Sequence, residues 1–426
     1  MDADPQRSSL EAQPGPAAMP ASKVTWRFVA IYAFGYTGLW LALLTPSLVS
    51  IALRVHQLAP ATAKQDLALV ISVGALFAVV GNPIFGHLSD RTRSRFGRRR
   101  PWMVGGMICG SAALLAISLT HSLTLLLIGW CVAQLAFNAV LASMVAIFPD
   151  QIPEGQRGTV SGVIALTLPL GQALGSILVS SFSGSPLLSF MVPAILGTAA
   201  VFLFAAIVPD CPHASQVARR TAVSLSLKSL WVDPREHPDF TWACLSRLLL
   251  AMGSAFVTTY LPYYLIDKFA FHADEMAGRL SEAVVMQTLL MILFGIVGGR
   301  LSDLVRRRKV FVLAGAALYS VGLLAVANAT TYGAFLAGMA TMGIGHGIYF
   351  GVDLALVSEI LRTRVHESGK DLGLLNIANT VPQIVTPAVG SFVLLRAGGD
   401  FFPLFIVAAI AAALSAVTIL PLRSVR

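Results

Sequence analysis

Three ionisable side chains lie inside long apolar stretches of the sequence and are the first candidates for chemistry: Arg247, His346 and Asp353. A charged or titratable group is costly in an apolar interior, so its presence there indicates a function or a partner. Arg247 lies about six residues inside its stretch and Asp353 about four, which in helices corresponds to depths of roughly 9 and 6 Å. The matching depths would allow Arg247 and Asp353 to pair if their two helices are neighbours. A proton or gating switch and a neutralised structural bridge both fit this pair.

His346 is seven residues before Asp353, so the two share one helix face, with Tyr349 beside them. An imidazole titrates near neutral pH and can carry a coupling proton. A packing histidine held by hydrogen bonds is the alternative. Glu282, the remaining acidic group, lies near the end of its stretch.

A second set of candidates consists of amides and aromatic rings within the apolar stretches. Hydrogen bonds from amides and stacking on aromatic faces suit a neutral polyhydroxylated ligand. Hydrogen bonding between helices is the alternative use of the same groups, and for Trp40 and the tyrosines a position at the membrane interface or facing lipid is a further alternative. The candidates for solute binding are Tyr36, Trp40, Gln134, Asn138, Gln172, Tyr260, Tyr263, Tyr349, Asn376, Asn379 and Gln383.

Membrane-spanning helices must position these groups. The chain has 426 residues, of which 56% are hydrophobic and 12% charged, about half the charged fraction of a soluble domain. This composition excludes a soluble enzyme or a nucleic-acid-binding protein, despite the net charge of +9. Apolar runs of about 20 residues predict membrane-spanning helices. We expect twelve: about 28–52, 67–89, 101–119, 122–148, 159–183, 187–208, 241–266, 280–299, 310–328, 331–357, 372–395 and 401–422.

The spans predict an all-α membrane protein built from two six-helix bundles. We expect a disordered tail over 1–22, bundles over 23–208 and 241–426, and a connector over 209–240. The connector is predicted either to lie on the membrane surface as a short amphipathic helix or to be an unstructured tether. Of the 30 Lys and Arg residues, 24 fall in the two termini and the loops after even-numbered spans. This asymmetry predicts that both termini are cytoplasmic, in the cell membrane.

A repeat relates the two halves of the chain. The segment 86–90 (GHLSD) reappears as 299–303 (GRLSD), a shift of 213 residues, and the same shift carries Arg157 onto Lys370 and Pro169 onto Pro382. Two units of six helices therefore share one orientation. Parallel repeats with a binding site between them are a transporter architecture.

The repeated loop predicts a gate between the halves. Asp90 can pair with cations or helix dipoles, and Gly86 permits close approach of a neighbouring helix. We expect Gly86, Asp90 and Arg91 to act in the gate, with Gly299 and Asp303 as their counterparts. Anchoring by the positive-inside effect is the alternative, and it is our expectation for Arg93, Arg95 and Arg98–Arg100.

The sequence resembles the major facilitator superfamily over nearly its whole length. The loop 90–102 (DRTRSRFGRRRPW) is similar to that of the glycoside–pentoside–hexuronide:cation symporters and the plant sucrose transporters. Segments 148–150 (FPD), 233–240 (DPREHPDF), 369–373 (GKDLG) and 376–379 (NIAN) strengthen this likeness. The resemblance implies the major facilitator fold, a cavity lined by spans 1, 4, 7 and 10, and a monomer.

The coupling ion is expected to be a proton. Sodium-coupled relatives of the melibiose branch place acidic residues in spans 2 and 4, and 67–89 and 122–148 contain none. A hard cation needs oxygen ligands, usually charged ones, so we expect no sodium or other metal site. There is no GxxxxGK[ST] sequence for nucleotide binding, and no cofactor is expected.

These features favour a secondary transporter that moves a sugar or glycoside with protons by alternating access. Export of amphipathic drugs or metabolites is the alternative within transport. A transporter-like sensor would call for a further soluble domain, and a membrane enzyme would call for a catalytic cluster of His, Asp, Glu or Cys. The sequence displays neither.

Overall fold

Helices long and apolar enough to cross a membrane account for all twelve predicted spans. The computed structural model describes residues 24–209, 238–362 and 368–422. Spans 1–6 comprise Trp26–Thr45 with Pro46–Ser50 and Ile51–Leu58, Ala63–Arg91, Arg100–Leu119, Leu123–Gln151, Glu154–Ala165 with Thr167–Ser181, and Pro186–Ile207. Spans 7–12 are Pro238–Phe269, Ala273–Val305, Arg308–Ala327, Tyr332–Arg362, Ser368–Arg396 and Phe402–Val417.

Two spans are interrupted where proline disturbs the helical hydrogen bonds. Span 1 passes through a π-helical turn that begins at Pro46. Span 5 breaks after Ala165, four residues before Pro169, because a proline ring collides with the carbonyl four residues earlier. The apolar pattern predicts both as continuous helices, since hydropathy does not register such breaks.

The two halves repeat one set of helix pairings. In the first half, span 1 packs on spans 5 and 6, span 4 on spans 2 and 3, and span 3 on span 6. In the second half, span 7 packs on spans 11 and 12, span 10 on spans 8 and 9, and span 9 on span 12. The halves meet where span 2 contacts span 11 and span 5 contacts span 8. The sequence repeat is therefore also a repeat of the packing.

The two ends of the helix bundle differ in charge. We call the end that carries the loops after spans 2 and 8 the basic end and the other the far end. Arg91, Arg93 and Arg95 are exposed at the basic end. The tail 1–22 and nearly all of the connector 209–240, for which an amphipathic helix or a tether is expected, lie outside the described residues.

Candidate functional site

Arg247, Asp353 and Asn379 meet in the interior of the second half. Arg247 Nη1 lies 3.5 Å from Asp353 Oδ2, and the two side chains are 14% and 3% exposed. Arg247 Nε donates a hydrogen bond of 3.1 Å to Asn379 Oδ1. Spans 7, 10 and 11 supply one residue each. The contact predicted from matching helix depths is present, and Asn379 is its third member.

The Asp353 carboxylate is held loosely. Among the described residues, no donor makes a hydrogen bond to the buried Oδ2, although the Arg247 guanidinium is within ion-pair distance. A buried charge normally requires both a counter-charge and hydrogen bonds. In the described part of the structure, the contact with Arg247 is thus the one polar interaction shown for this oxygen.

Aromatic rings lie beside the Arg247–Asp353 pair. The Arg247 guanidinium lies 5.9 Å from the Phe350 ring centre. His346 packs on the rings of Phe350 and Tyr319 at 4.7 and 5.1 Å. His346 therefore lies in the same region as the pair and packs against aromatic rings there.

A group of neutral amides joins two helices inside the first half. Asn82 Nδ2 lies 3.5 Å from Asn138 Oδ1, and Asn138 Nδ2 also donates to the Gln134 carbonyl and side-chain oxygens. These side chains join span 2 to span 4. Asn82 and Gln134 are half-buried, so part of each amide can reach a ligand, whereas Asn138 is buried between them and positions both.

The other predicted solute-binding residues of the first half lie on two helices. Tyr36 is buried, with its ring 5.1 Å from that of Tyr32. Trp40 and Gln172 are half-buried, on spans 1 and 5. In span 11 of the second half, Gln383 is exposed, and the side chain of Asn376 is outside the described part of the structure.

Three tyrosines predicted to bind solute lie in the packed interior. Tyr260 donates to the Pro387 carbonyl and Tyr263 to the Ala52 carbonyl, and Tyr349 bonds with the Ser246 hydroxyl at 3.0 Å. All three are at most 2% exposed. A buried tyrosine hydroxyl needs a partner, and here the protein supplies it. In this conformation their hydroxyls are bonded within the protein, and their role in solute binding stays a prediction.

The predicted gate loop forms an ion-pair network, but with different arginines. Arg99 Nη2 lies 2.6 Å from Asp90 Oδ1 and 3.5 Å from Asp150 Oδ2, and Arg98 lies 3.0 Å from Asp150. Arg91 is exposed. The arginines predicted as membrane anchors thus make the contact, because the loop folds back and places the start of span 3 beside Asp90.

Gly86 does not bring a neighbouring helix into close approach in this conformation, contrary to the sequence-based prediction. A Cβ atom on Gly86 would come no closer than 4.0 Å to Ala142, an ordinary contact. On Gly299 it would lie 3.4 Å from the Gly351 carbonyl. Asp303 pairs with Arg308 at 3.2 Å. Both loops are therefore bonded within their own half.

Bonds between the halves cluster at the far end. Lys64 Nζ lies 2.6 Å from Asp267 Oδ2 and donates to the Gly399 carbonyl. The Tyr263–Ala52 hydrogen bond and a 3.4 Å contact between Ser176 and Ser281 also cross the interface. These contacts join spans 1, 2 and 5 of the first half to spans 7 and 8 and the loop after span 11 of the second. The far end is thus closed by specific contacts.

The chain is thus a two-fold repeat of six helices that is joined at one end and carries polar groups in each half. The profile of the Major Facilitator Superfamily matches residues 28–361 and 270–426. The chain belongs to this superfamily. Major facilitator proteins are transporters, and this chain is a multi-pass membrane protein with symporter and sugar-permease relatives.

Relatives with curated names are similar over parts of the chain. An uncharacterized symporter of Synechocystis is 62% identical over 39 residues, 9% of this chain and 7% of its own. The general alpha-glucoside permease of Schizosaccharomyces pombe is 26% identical over 41% of this chain and 31% of its own. The MFS-type efflux pump MMF1 of Pseudozyma antarctica is 25% identical over 65% of this chain and 54% of its own. The chain thus matches at most about half the length of these relatives.

Several residues of the polar clusters were not predicted from the sequence. Asn82 is a polar residue within the apolar span 67–89. It could therefore have been predicted on the same grounds as the other amides. The Lys64–Asp267 pair has no such signal, because both residues lie at loop ends and meet only when the two halves close at the far end.

Proposed function

We propose that this chain is a secondary transporter that moves a sugar or glycoside with protons by alternating access. The observation that carries the proposal is the buried Arg247–Asp353 contact, in which one carboxylate oxygen has no hydrogen-bond donor among the described residues. We place the protein in the cell membrane as a monomer with both termini cytoplasmic and with no cofactor.

Asp353 is the proposed proton carrier. When a proton binds, the carboxylate loses its charge and its attraction for Arg247. The guanidinium then keeps only Asn379 as a hydrogen-bond partner in this group and is free to change position. Because spans 7, 10 and 11 meet here, that change acts on three helices of the second half. His346 is a proposed accessory proton group.

The neutral amides of the first half are the proposed solute-binding groups. Asn82, Gln134 and Asn138 offer both donors and acceptors, as hydroxyl groups of a sugar require. Trp40 and Gln172 can extend this surface from spans 1 and 5. The alpha-glucoside permease relative supports this class of solute.

Closure of the far end supports alternating access. Rocking of the halves would break the Lys64–Asp267 pair and close the basic end, where the Asp90 and Asp303 loops are the proposed gate. Parallel repeats related by an axis along the membrane normal move in this way around a site between them.

The test is accumulation of labelled glycosides in proteoliposomes under an imposed pH gradient. We expect accumulation of at least one α-glucoside or β-galactoside that collapses with a protonophore. Asp353→Asn should abolish it, whereas Glu275→Gln, which removes an exposed carboxylate, should not. Glycoside accumulation of the same size with and without the pH gradient would overturn proton coupling.

Export of an amphipathic compound is the second candidate, favoured by the efflux-pump relative that aligns with 65% of this chain. The same liposomes, loaded with a lipophilic fluorescent cation, distinguish the two. Proton-driven movement of the dye, with no movement of any glycoside, would favour export.

A further inference from the structure

An apolar groove opens on the outer surface of the first half at its basic end. It lies between spans 3 and 6 and has a volume of about 710 Å³. This volume is within the range of small-molecule pockets. Pro101, Val104 and Gly105 line one wall, and Phe202, Ala205 and Ala206 line the other. Both sets follow the i, i+3, i+4 pattern of a single helix face.

Small side chains keep the groove open. A Cβ atom on Gly105 would meet nothing within 4 Å, and the facing wall contributes two alanines. Spans 3 and 6 pack on spans 1 and 4 and on each other. Neither is among the spans at which the halves meet, so the groove faces the surroundings of the bundle.

The groove ends among cations. Arg100 lines it and donates to the carbonyls of Val208 and Ala206 at the end of span 6. Phe96 also lines the groove, is 61% exposed, and carries the Arg95 guanidinium 4.8 Å from its ring centre. One apolar channel and one cationic rim thus adjoin each other.

The geometry points to a binding site for one anionic phospholipid, with an acyl chain in the groove between spans 3 and 6 and the phosphate at Arg95 and Arg100. An acyl chain fits an almost wholly apolar wall, and basic pockets between membrane helices suit anionic headgroups. The connector that follows span 6 is the other possible occupant. Its own stretch 223–231 carries a lysine and no acidic residue, so it does not complement the arginine rim.

Native mass spectrometry of the full chain in mild detergent tests the site. Phosphatidylglycerol and phosphatidylcholine with identical acyl chains are titrated separately. We expect one phosphatidylglycerol adduct that survives at higher collision energy than the phosphatidylcholine adducts. Gly105→Leu should fill the groove and remove this adduct, and Arg95→Gln should weaken it about fivefold, the contribution of one basic side chain near an anionic surface.

Arg307→Gln is the matched control, because it removes an exposed arginine from the basic end of the other half. It should leave the adduct unchanged. A second readout is the apparent melting temperature, which bound lipid raises by mass action. Phosphatidylglycerol should raise it for wild type and the control, but not for Gly105→Leu.

Equal adducts for both lipids, or an adduct that Arg307→Gln weakens as much as Arg95→Gln, would overturn the site in favour of general charge attraction. An adduct that survives in Gly105→Leu would also overturn it, since the lipid would then bind outside the groove. The site does not depend on which solute is transported.

Discussion

The two halves of this transporter share their helix pairings but differ in the polar groups inside them. In the first half, Asn82 and Asn138 connect spans 2 and 4 through neutral amides. In the second half, Arg247, Asp353 and Asn379 form a charged group. One fold repeated twice therefore presents a neutral hydrogen-bonding surface and a titratable pair. The difference suggests a division between solute binding and proton coupling.

The halves also differ at one equivalent helix crossing, that of spans 2 and 4 in the first half and of spans 8 and 10 in the second. The 213-residue shift carries Asn82 to Gly295. Gly295 lies against Gly347 and Gly351 of span 10. A Cβ atom added to either Gly347 or Gly351 would come within 2.9 Å of the Gly295 backbone. The second half thus brings two backbones together where the first half inserts amides. Close backbone contact of this kind stabilises helix pairs in membranes.

The largest effect is expected from removing the cation of the charged group. Arg247→Met leaves Asp353 buried without a counter-charge, which costs roughly 3–5 kcal/mol in comparable buried pairs. The apparent melting temperature in detergent should fall far more than for Asn138→Leu, which removes neutral hydrogen bonds worth about 1 kcal/mol. The double variant Arg247→Met/Asp353→Leu should recover much of the loss. Equal losses for the two single variants would show that charge does not distinguish the halves.

The next largest effect is steric. It is expected when a methyl group is added at a helix crossing of the second half and compared with the same change in the first half. Gly347→Ala places a methyl group 2.4 Å from the Met291 carbonyl oxygen, and such overpacking costs about 1–3 kcal/mol. Gly86→Ala, with 4.0 Å to its nearest neighbour, should leave the melting temperature unchanged or slightly higher, because alanine favours helix. A larger loss in Gly86→Ala would mean that Gly86 packs tightly in another conformation.

The fold was predictable because its determinants are local. A run of about 20 apolar residues has no option in lipid other than a helix that satisfies its own backbone. The Arg247–Asp353 contact was predictable from the matching depths of the two residues together with the positions of spans 7 and 10 that the family resemblance implies. The lysine and arginine distribution and the repeated loop identified the basic end and the two halves.

Contacts that depend on loop geometry or conformation were not predictable. Arg91 is next to Asp90 in sequence, but Arg99 reaches it, because the loop reverses before span 3. Tyr260 and Tyr263 resemble cavity residues by type, yet their hydroxyls bond to carbonyls of neighbouring helices. Lys64 and Asp267 lie 203 positions apart and meet only because the far end is closed.

A smaller effect should separate solute affinity from proton coupling. Asn138→Ala removes one hydrogen-bonding side chain from the first half, so we expect the half-saturation concentration for the glycoside to rise about fivefold, the equivalent of about 1 kcal/mol. The number of protons moved per glycoside should not change. This is measured as uptake against concentration in liposomes with an internal pH dye. Altered stoichiometry would place coupling in the first half as well.

The smallest effect concerns the far end. Lys64→Met breaks the ion pair with Asp267, whose side chains are 25% and 43% exposed, and such pairs contribute about 1 kcal/mol or less. We expect the ratio of molecules with an open far end to molecules with a closed far end to rise by up to about fivefold. Spin-label distances between cysteines introduced at Gln57 and Lys268 would report it, with Arg396→Met as a control at the same end. An unchanged distance distribution would show that the remaining contacts suffice for closure.

The most direct test of the division between the halves is the behaviour of Asp353→Asn in two assays on the same liposomes. One assay records glycoside-dependent proton uptake, and the other records exchange of labelled for unlabelled glycoside without a gradient. The account predicts that proton uptake is lost while exchange continues, because the neutral amides still bind the solute and the protein remains folded. Continued proton uptake with glycoside in Asp353→Asn would contradict it.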